Sequence, residues 1–256
     1  AGLVANVVMH PLDTVKAQTQ FANIDTRHST IRTRVTTILR QDGLRGFYKG
    51  FGTVLLSTIP STGLYFLSYG RLKTYFGTSP LGLGLAGLGA QCIAGLIFCP
   101  RDILKERMQT NVFNGNAWRL SKHIFETEGI GGFYRGYWAT TVLWGPYAAI
   151  YFNIYEHLKM NFGNPGQNSI VSLSMFGVIA AGIAGVITNP IDVIKLNFQV
   201  LTKTDGSSNS AFKVATKLWR QHGINFFFRG SIARVLWIAP RTAISFAIFE
   251  KVMETW

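Results

Sequence analysis

Charged residues are scarce in this chain, and acids are the scarcer kind. Of 256 residues, 14% are charged and 48% are hydrophobic, and the 25 lysines and arginines outnumber the 12 aspartates and glutamates. Four stretches contain no charged side chain at all: 51–68, 81–100, 137–155 and 165–191. A helix needs roughly 20 apolar residues to cross a bilayer core. The composition therefore indicates a membrane protein with a spanning helix in each of these stretches.

Two further apolar stretches bring the expected spans to six. Residues 230–249 are apolar except for Arg234 and Arg241, and the ten residues before Pro11 are apolar but too few to span a membrane. We expect the chain to begin inside its first helix.

Cysteine and histidine are too sparse to suggest catalysis or a metal site. Cys92 and Cys99 lie seven residues apart on one face of an apolar stretch, which favours buried free thiols over a functional pair. The five histidines are scattered, without metal-ligand spacing or a nucleophile and base pattern. We therefore expect neither an enzyme nor a bound metal.

The net charge of +13 raises the question of nucleic-acid binding. The bases lie mainly in the connectors between apolar stretches, as with Arg27, Arg32, Arg34 and Arg40 in the first long connector. Basic connectors beside membrane spans suit the positive-inside bias and attraction to anionic lipid. We predict membrane lipid as a partner and no nucleic acid.

A ten-residue motif occurs three times, as PLDTVKAQTQ from Pro11, PRDILKERMQ from Pro100 and PIDVIKLNFQ from Pro190. Each copy ends an apolar helix and leads through a polar connector to a glycine-rich signal: DGLRGFYKG, EGIGGFYRG or HGINFFFRG. A second apolar helix follows. Such a fixed period indicates repeated structural units. We place the repeats at residues 1–77, 78–164 and 165–256, the first starting part-way through its helix.

This threefold pattern resembles the mitochondrial carrier family over essentially the whole chain. The resemblance implies an all-α membrane protein, with six transmembrane helices in a threefold pseudosymmetric barrel and short matrix helices. It further implies a multi-pass protein of the inner mitochondrial membrane, whose termini face the intermembrane space. A carrier of this kind works by alternating access through one central site.

The acids and bases of the motif lie at membrane depth, where charges are costly and normally paired or functional. Three acids and three bases on neighbouring helices can close a ring of salt bridges. The alternative interpretation is that each charged residue separately anchors its helix at the lipid interface. The resemblance implies a matrix gate with bracing glutamines. Its predicted members are Asp13, Lys16, Gln20, Asp102, Lys105, Gln109, Asp192, Lys195 and Gln199.

The family pattern at the other end is an aromatic residue, an acid, two residues and a base. Here Gly70 and Met253 occupy one acid and one base position, so at most two of three bridges can form. We predict a weaker cytoplasmic gate. Its members are Lys73, Glu156, Lys159 and Glu250.

The resemblance places the main substrate contacts three residues before the proline of each even-numbered helix. These positions carry no charge, so Arg234 is the predicted cavity cation, with helix packing or bridging as its alternative role. A flat, partly apolar solute can stack on tryptophan; the alternative is that the tryptophans only fill a narrowed cavity. The predicted substrate contacts are Ser57, Leu143, Trp144, Arg234 and Trp237.

Glycines at helix starts expose backbone N–H groups where the helix dipole attracts anions. The resemblance makes the ligand cardiolipin, bound as a lipid and not as a cofactor; the alternative is simple turn glycines beside interfacial aromatics. The predicted lipid-binding residues are Gly50, Gly136, Gly230, Lys49, Arg135 and Arg229.

Three functions remain open. The first is a solute transporter of unassigned small-molecule substrate, for which RVLWIAP and GLVANVVMHPLDTVK suggest S-adenosylmethionine carriers or mitoferrins, and hence a partly apolar cofactor-type solute. The second is a carrier-derived structural subunit of a larger inner-membrane (respiratory) complex. The third is a proton leak. Transport predicts an Arg234 without a full protein salt bridge, whereas a structural subunit predicts an Arg234 tied to protein or lipid. Exchange and uniport are not distinguished.

Overall fold

The computed structural model describes residues 2–21, 31–77, 79–113, 115–163, 170–201, 210–238 and 240–242. Helix is the regular structure throughout these ranges, which contain no strand. The helices are α1 (Gly2–Gln20), α2 (Ile31–Asp42), α3 (Phe51–Phe76), α4 (Pro80–Gln109), α5 (Ala117–Glu128), α6 (Ile130–Phe133), α7 (Tyr137–Phe162), α8 (Ile170–Ile187), α9 (Asn189–Val200), α10 (Ala211–His222) and α11 (residues 231–238). Two 3₁₀ segments, Gly43–Tyr48 and Ile224–Phe228, precede α3 and α11.

Helices α3, α7 and α11 each start directly after a glycine in the left-handed region. The φ angles are 76° at Gly50, 84° at Gly136 and 78° at Gly230. Side chains other than glycine rarely adopt this conformation. The glycine-rich signal of each repeat therefore sets where its second long helix begins.

The three short connector helices α2, α5 and α10 are amphipathic. Each turns a narrow apolar face inward: Ile38 in α2, Leu120 and Ile124 in α5, and Val214 and Leu218 in α10. Burying that face against the long helices stabilises a segment too short to be stable alone. They match the short helices expected between the spans of each repeat.

The motif prolines do not bend their helices equally. Helix α1 continues through Pro11 and α4 continues through Pro100. In the third repeat the helix breaks at Thr188, and α8 and α9 meet at a bend of 61°. Proline removes a helical hydrogen bond and can kink a helix; of the described motif helices, only the third is broken.

Fewer spans than six are recognisable by length and composition. Two helical stretches of the described residues, 31–76 and 82–109, are long and apolar enough to cross a membrane. Helices α8 and α9 make a third if the bent pair is one span. Helix α1 carries Asp13 and Lys16, and residues 243–249 of the sixth stretch lie outside the described residues. The six-helix barrel is therefore not directly visible.

Small residues bring the long helices together. Helix α3 packs along α4, and α7 along α8, while α1, α4 and α9 contact one another. Ala86, Ala90 and Ala94 recur every four residues on α4 and are fully buried. Small side chains at this spacing let helix backbones approach closely. The packing thus brings the three motif-bearing segments to one end of the molecule, here called the motif end.

Candidate functional site

Three ion pairs link the motif-bearing helices at the motif end. Each joins a lysine Nζ to an aspartate Oδ2 of another repeat: Lys105 to Asp13, Lys195 to Asp102 at 3.3 Å, and Lys16 to Asp192 at 2.7 Å. The pairing runs from α4 to α1, from α9 to α4 and from α1 to α9. We call this closed set the ion-pair ring.

The ion-pair ring is shielded from water. Its six side chains are between 10% and 14% exposed. Opposite charges attract more strongly away from water, and removing one partner of a buried pair leaves an uncompensated charge. The ring therefore ties three helices together in one arrangement.

The three motif glutamines differ in what they contact. Gln20 donates to Asp192 Oδ2 at 3.1 Å and so touches the ion-pair ring directly. The other two donate to threonine hydroxyls: Gln109 to Thr14 at 3.0 Å and Gln199 to Thr140 at 3.4 Å. Only Gln20 has the bracing contact that the sequence predicts for all three. In the other copies a threonine hydroxyl accepts the hydrogen bond from the glutamine amide.

A second closed set lies seven residues after each motif proline, and sequence reasoning missed it. Each side chain there donates to the backbone oxygen of a motif glutamine in another repeat: Gln18 to Gln109 at 3.0 Å, Arg107 to Gln199 at 3.1 Å, and Asn197 to Gln20 at 3.0 Å. We call this the hydrogen-bond ring. Its three residue types differ, so no motif reveals it; only the shared position and donor chemistry are common.

The glycines that precede α3, α7 and α11 pack against these rings. A Cβ on Gly136 would lie 2.8 Å from Gln199 Cγ, and one on Gly230 would lie 2.8 Å from Gln20 Cγ. A Cβ on Gly50 would meet the Lys105 backbone at 3.1 Å. Glycine is thus required twice here, by its φ angle and by the close approach of the next repeat.

Arg135, a predicted lipid ligand, is buried among protein groups. It is 7% exposed, its Nη1 lies 3.7 Å from Glu128 Oε2, and its guanidinium stacks over Phe198 at 5.0 Å. Glu128 also pairs with Arg107, whose Nη2 donates to it at 3.1 Å. Arg135 therefore lies between the end of α5 and α9, where protein groups surround its guanidinium.

The other charged members of the lipid set also have protein contacts. Lys49 Nζ lies 2.7 Å from Asp42 Oδ2 and donates to Asn111 Oδ1 at 2.7 Å. The Arg229 guanidinium lies 5.9 Å from the Phe226 ring centroid. Both bases therefore contact protein groups: Lys49 contacts its own repeat and the next one, and Arg229 contacts an aromatic ring of its own repeat.

Arg234 is tied to the ion-pair ring. It is 5% exposed, donates to Thr188 Oγ1 at 3.1 Å, and places Nη1 3.6 Å from Asp192 Oδ2. It thus shares Asp192 with Lys16. In this conformation Arg234 therefore has an ion-pair contact with a ring aspartate, which agrees with the bridging role given as its alternative.

Two further arginines lie beside the ion-pair ring and were not included among the predicted site residues. Arg101 donates to Asp102 Oδ1 from Nε at 3.0 Å and from Nη2 at 2.7 Å. The Arg241 guanidinium lies 5.0 Å from the Trp237 ring, and Lys16 Nζ lies 5.3 Å from the same ring. Both arginines directly follow a helix proline, which is the sequence signal that could have found them.

The remaining predicted substrate contacts do not gather around Trp237. Ser57 donates to the backbone oxygen of Thr53 in its own helix at 2.7 Å. Leu143 is 6% exposed, whereas Trp144 is 48% exposed and meets Tyr147 edge-on at 5.9 Å. Of the five predicted substrate contacts, Arg234 and Trp237 lie nearest the charged groups of the motif end.

The residues of the predicted cytoplasmic gate are exposed where they are described. Lys73, Glu156 and Lys159 are exposed, and none of them forms an ion pair with another described residue. Glu250 lies outside the described residues. The two ends of the molecule therefore differ sharply in their ion pairing.

Comparison with known proteins extends over the whole chain. The family profile described as "Mitochondrial carrier protein" matches three times, at residues 1–80, 78–165 and 166–256. The chain belongs to the mitochondrial carrier family. Members of this family are transporters and not enzymes, and they are multi-pass proteins of the inner mitochondrial membrane.

Individual carriers align along nearly their full length. Mitochondrial substrate carrier family protein E of Dictyostelium discoideum is 31% identical, with 98% of this chain and 91% of the relative covered. Mitoferrin of the same organism is 30% identical over 98% and 89%. The mitochondrial S-adenosylmethionine carrier protein of Danio rerio is 28% identical over 100% and 94%. The names of these carriers do not agree on one cargo, so the family match leaves the substrate of this chain unassigned.

Proposed function

We propose that this carrier moves a small solute by alternating access through one central site, with the ion-pair ring as its matrix gate. The observation that carries the proposal is the contrast between the two ends. Three helices are linked by buried ion pairs at the motif end, while the described acid and bases of the opposite end are exposed and unpaired. This combination fits a carrier closed toward the matrix and open toward the cytoplasmic side.

The proposal includes the six-helix barrel with threefold pseudosymmetry and repeats at residues 1–77, 78–164 and 165–256. Its support is the cyclic pairing of α1, α4 and α9 in both rings. A cyclic pairing of this kind needs three equivalent neighbours around one axis.

For the solute, we propose a partly apolar, cofactor-type molecule with a flat part. Trp237 supports this, since an indole ring can stack on a flat solute and this ring lies 5.3 Å from Lys16 Nζ and 5.0 Å from the Arg241 guanidinium. The name of the S-adenosylmethionine carrier relative is consistent with cargo of that general kind.

For lipid, we propose that cardiolipin phosphates bind the backbone N–H groups at the starts of α3, α7 and α11. Helix starts favour anions through unpaired N–H groups and the helix dipole. The protein contacts of Lys49, Arg135 and Arg229 make the backbone the main lipid contact in this proposal.

A role as a structural subunit predicted an Arg234 tied to protein, and Arg234 is so tied. Its acidic partner is Asp192 of the ion-pair ring, so the contact is also what a working gate would contain. The pairing therefore does not favour the structural role over transport, and the family match favours transport.

Reconstitution into cardiolipin-containing proteoliposomes tests the proposal. Exchange of radiolabelled solutes, screened by chemical class, should reveal at least one transported class. Lys195→Gln should abolish or strongly slow that exchange, because it opens one pair of the ring. Failure of the folded wild-type protein to exchange any solute class would overturn the transport proposal.

A further inference from the structure

Glu106 is an acid beside the ion-pair ring that the ring does not use. Its Oε2 atom is shielded from solvent and has no hydrogen-bond partner, and its carboxylate forms no ion pair with another residue of the described ranges. The equivalent positions of the other two repeats hold Ala17 and Leu196, which belong to an apolar cluster. A carboxylate without a partner at membrane depth is costly. Glu106 therefore calls for a role outside the closed ring.

Helix geometry places Glu106 next to one pair of the ring. It follows Asp102 by four residues in α4, so the two carboxylates lie on one helix face, one turn apart. Lys195 of α9 donates to Asp102 at 3.3 Å and is also within electrostatic range of Glu106. Glu106 is thus a second carboxylate that Lys195 can reach by moving one turn along α4.

Asp102 does not depend on Lys195 alone. Arg101 donates to Asp102 Oδ1 from both Nε and Nη2, whereas Lys195 contacts Oδ2. If Lys195 leaves, Asp102 therefore keeps two charge-assisted hydrogen bonds. Arg107, the other side chain that joins α4 to α9, likewise keeps its pairing with Glu128 when it releases the Gln199 backbone.

The other two pairs of the ring lack this arrangement. The positions equivalent to Arg101 and Glu106 are apolar in both other repeats: Leu12 and Ile191, and Ala17 and Leu196. A lysine that leaves its aspartate there finds no carboxylate one turn further along the neighbouring helix. The contact between α4 and α9 is therefore the one that can open with both members of its ion pair still partnered.

We propose that Glu106 is the alternative partner of Lys195, which moves from Asp102 to Glu106 when α4 and α9 part. This inference rests on the proposed transport function and adds a positioning residue to its gate. Glu106 acts through Lys195 and not on the solute. The carboxylate lowers stability while the ring is closed, because it is buried without a partner, and it stabilises the open form, where it gains one. One-turn shifts of this kind occur in other switching proteins.

The first test measures stability and needs no transport. Glu106→Gln removes the unpaired charge and keeps the shape, so it should raise Tm by about 2–4 °C in detergent with cardiolipin. Glu106→Leu, which copies Leu196, should also raise Tm. Glu126→Gln, at an exposed position of α5, is the matched control and should leave Tm unchanged. A fall in Tm in both Glu106 variants would overturn the proposal.

An Asp102→Asn background tests the transfer itself. Lys195 has then lost its aspartate, so Glu106 should receive it, and adding Glu106→Gln should lower Tm instead of raising it. Both proteins compared carry Asp102→Asn, so its effect on Arg101 cancels. A rise in Tm of the same size as in wild type would overturn the transfer. If Asp102→Asn does not fold, solute exchange decides.

Exchange in proteoliposomes separates this inference from the proposed function. Glu106→Gln should slow exchange of the transported solute about tenfold despite its higher Tm, and Glu106→Asp should keep most of the wild-type rate. A purely structural role would not combine higher stability with slower exchange. Exchange at the wild-type rate in Glu106→Gln would overturn the inference and leave transport intact. Reversal of the Tm effect in Asp102→Asn, without exchange by the wild-type protein, would support the transfer and remove the transport proposal.

Discussion

The motif end and the opposite end of this carrier use the same residue types with opposite results. At the motif end, acids and bases of α1, α4 and α9 are 10–14% exposed and joined in three pairs. At the opposite end, Lys73, Glu156 and Lys159 project into solvent without an ion pair among the described residues. Burial, and not residue type, distinguishes the two ends.

The difference between the two ends indicates which contacts stabilise the described conformation. An exposed ion pair contributes little, because water and salt screen it and two long side chains must be ordered. A buried charge that loses its partner has a large cost. We therefore expect changes at the motif end to affect stability strongly and changes at the opposite end to affect it hardly at all.

The largest effect is expected from Asp192→Asn. Asp192 accepts from Lys16 and Gln20 and faces Arg234, so its loss leaves two buried cations without a carboxylate. The expected cost is about 3–5 kcal/mol, measured as a fall in Tm in cardiolipin-containing detergent. An Asp192→Asn protein as stable as wild type would show that the ion-pair ring does not stabilise the described conformation.

A smaller loss is expected from Arg107→Gln. Glutamine at this position can still donate to the Gln199 backbone, as Gln18 does to Gln109, but Glu128 loses its main cationic partner. The expected cost is about 2–3 kcal/mol, again read from Tm.

The double variant Arg107→Gln/Glu128→Gln is the control for this loss. It should regain much of the stability, because no carboxylate is then left buried without its partner. A double variant that is less stable than the single one would contradict this explanation.

Gly136→Ala should cost about 1–3 kcal/mol, through a strained positive φ and a Cβ forced against Gln199. Gly63→Ala is its matched control, since Gly63 lies inside α3 with open space at the Cβ position. The loss in Gly136→Ala should be the same with and without cardiolipin if helix contact dominates. A loss seen only with cardiolipin would instead assign this glycine to lipid binding.

The smallest effect is expected at the opposite end. Glu156→Gln and Lys73→Gln should leave Tm unchanged within error, because neither side chain has an ion pair to lose in the described part of the chain. A fall in Tm comparable to that of Gly136→Ala would show that this end is also held closed in the resting protein.

The sequence was informative where one chemical pattern recurs. Three copies of proline, aspartate, lysine and glutamine at equal spacing predicted the residues that meet at the motif end. The pattern could not reveal which neighbour each lysine selects, because that depends on the order of helices around the axis. It could not reveal the hydrogen-bond ring, where glutamine, arginine and asparagine perform one task. Nor did it anticipate that Arg234 would reach a ring aspartate, since that contact joins α11 to the helix break beside Thr188.

Both rings are closed, so neither has a terminal contact. Each repeat holds one neighbour and is held by the other. If the contacts between two repeats break, the three repeats stay connected through the two remaining pairs of contacts. The two remaining contacts between repeats can then act as pivots, so the motif end can widen while four of the six contacts persist. No repeat has to stay fixed in such an arrangement, and ring closure alone allows the contacts between any two neighbouring repeats to break first.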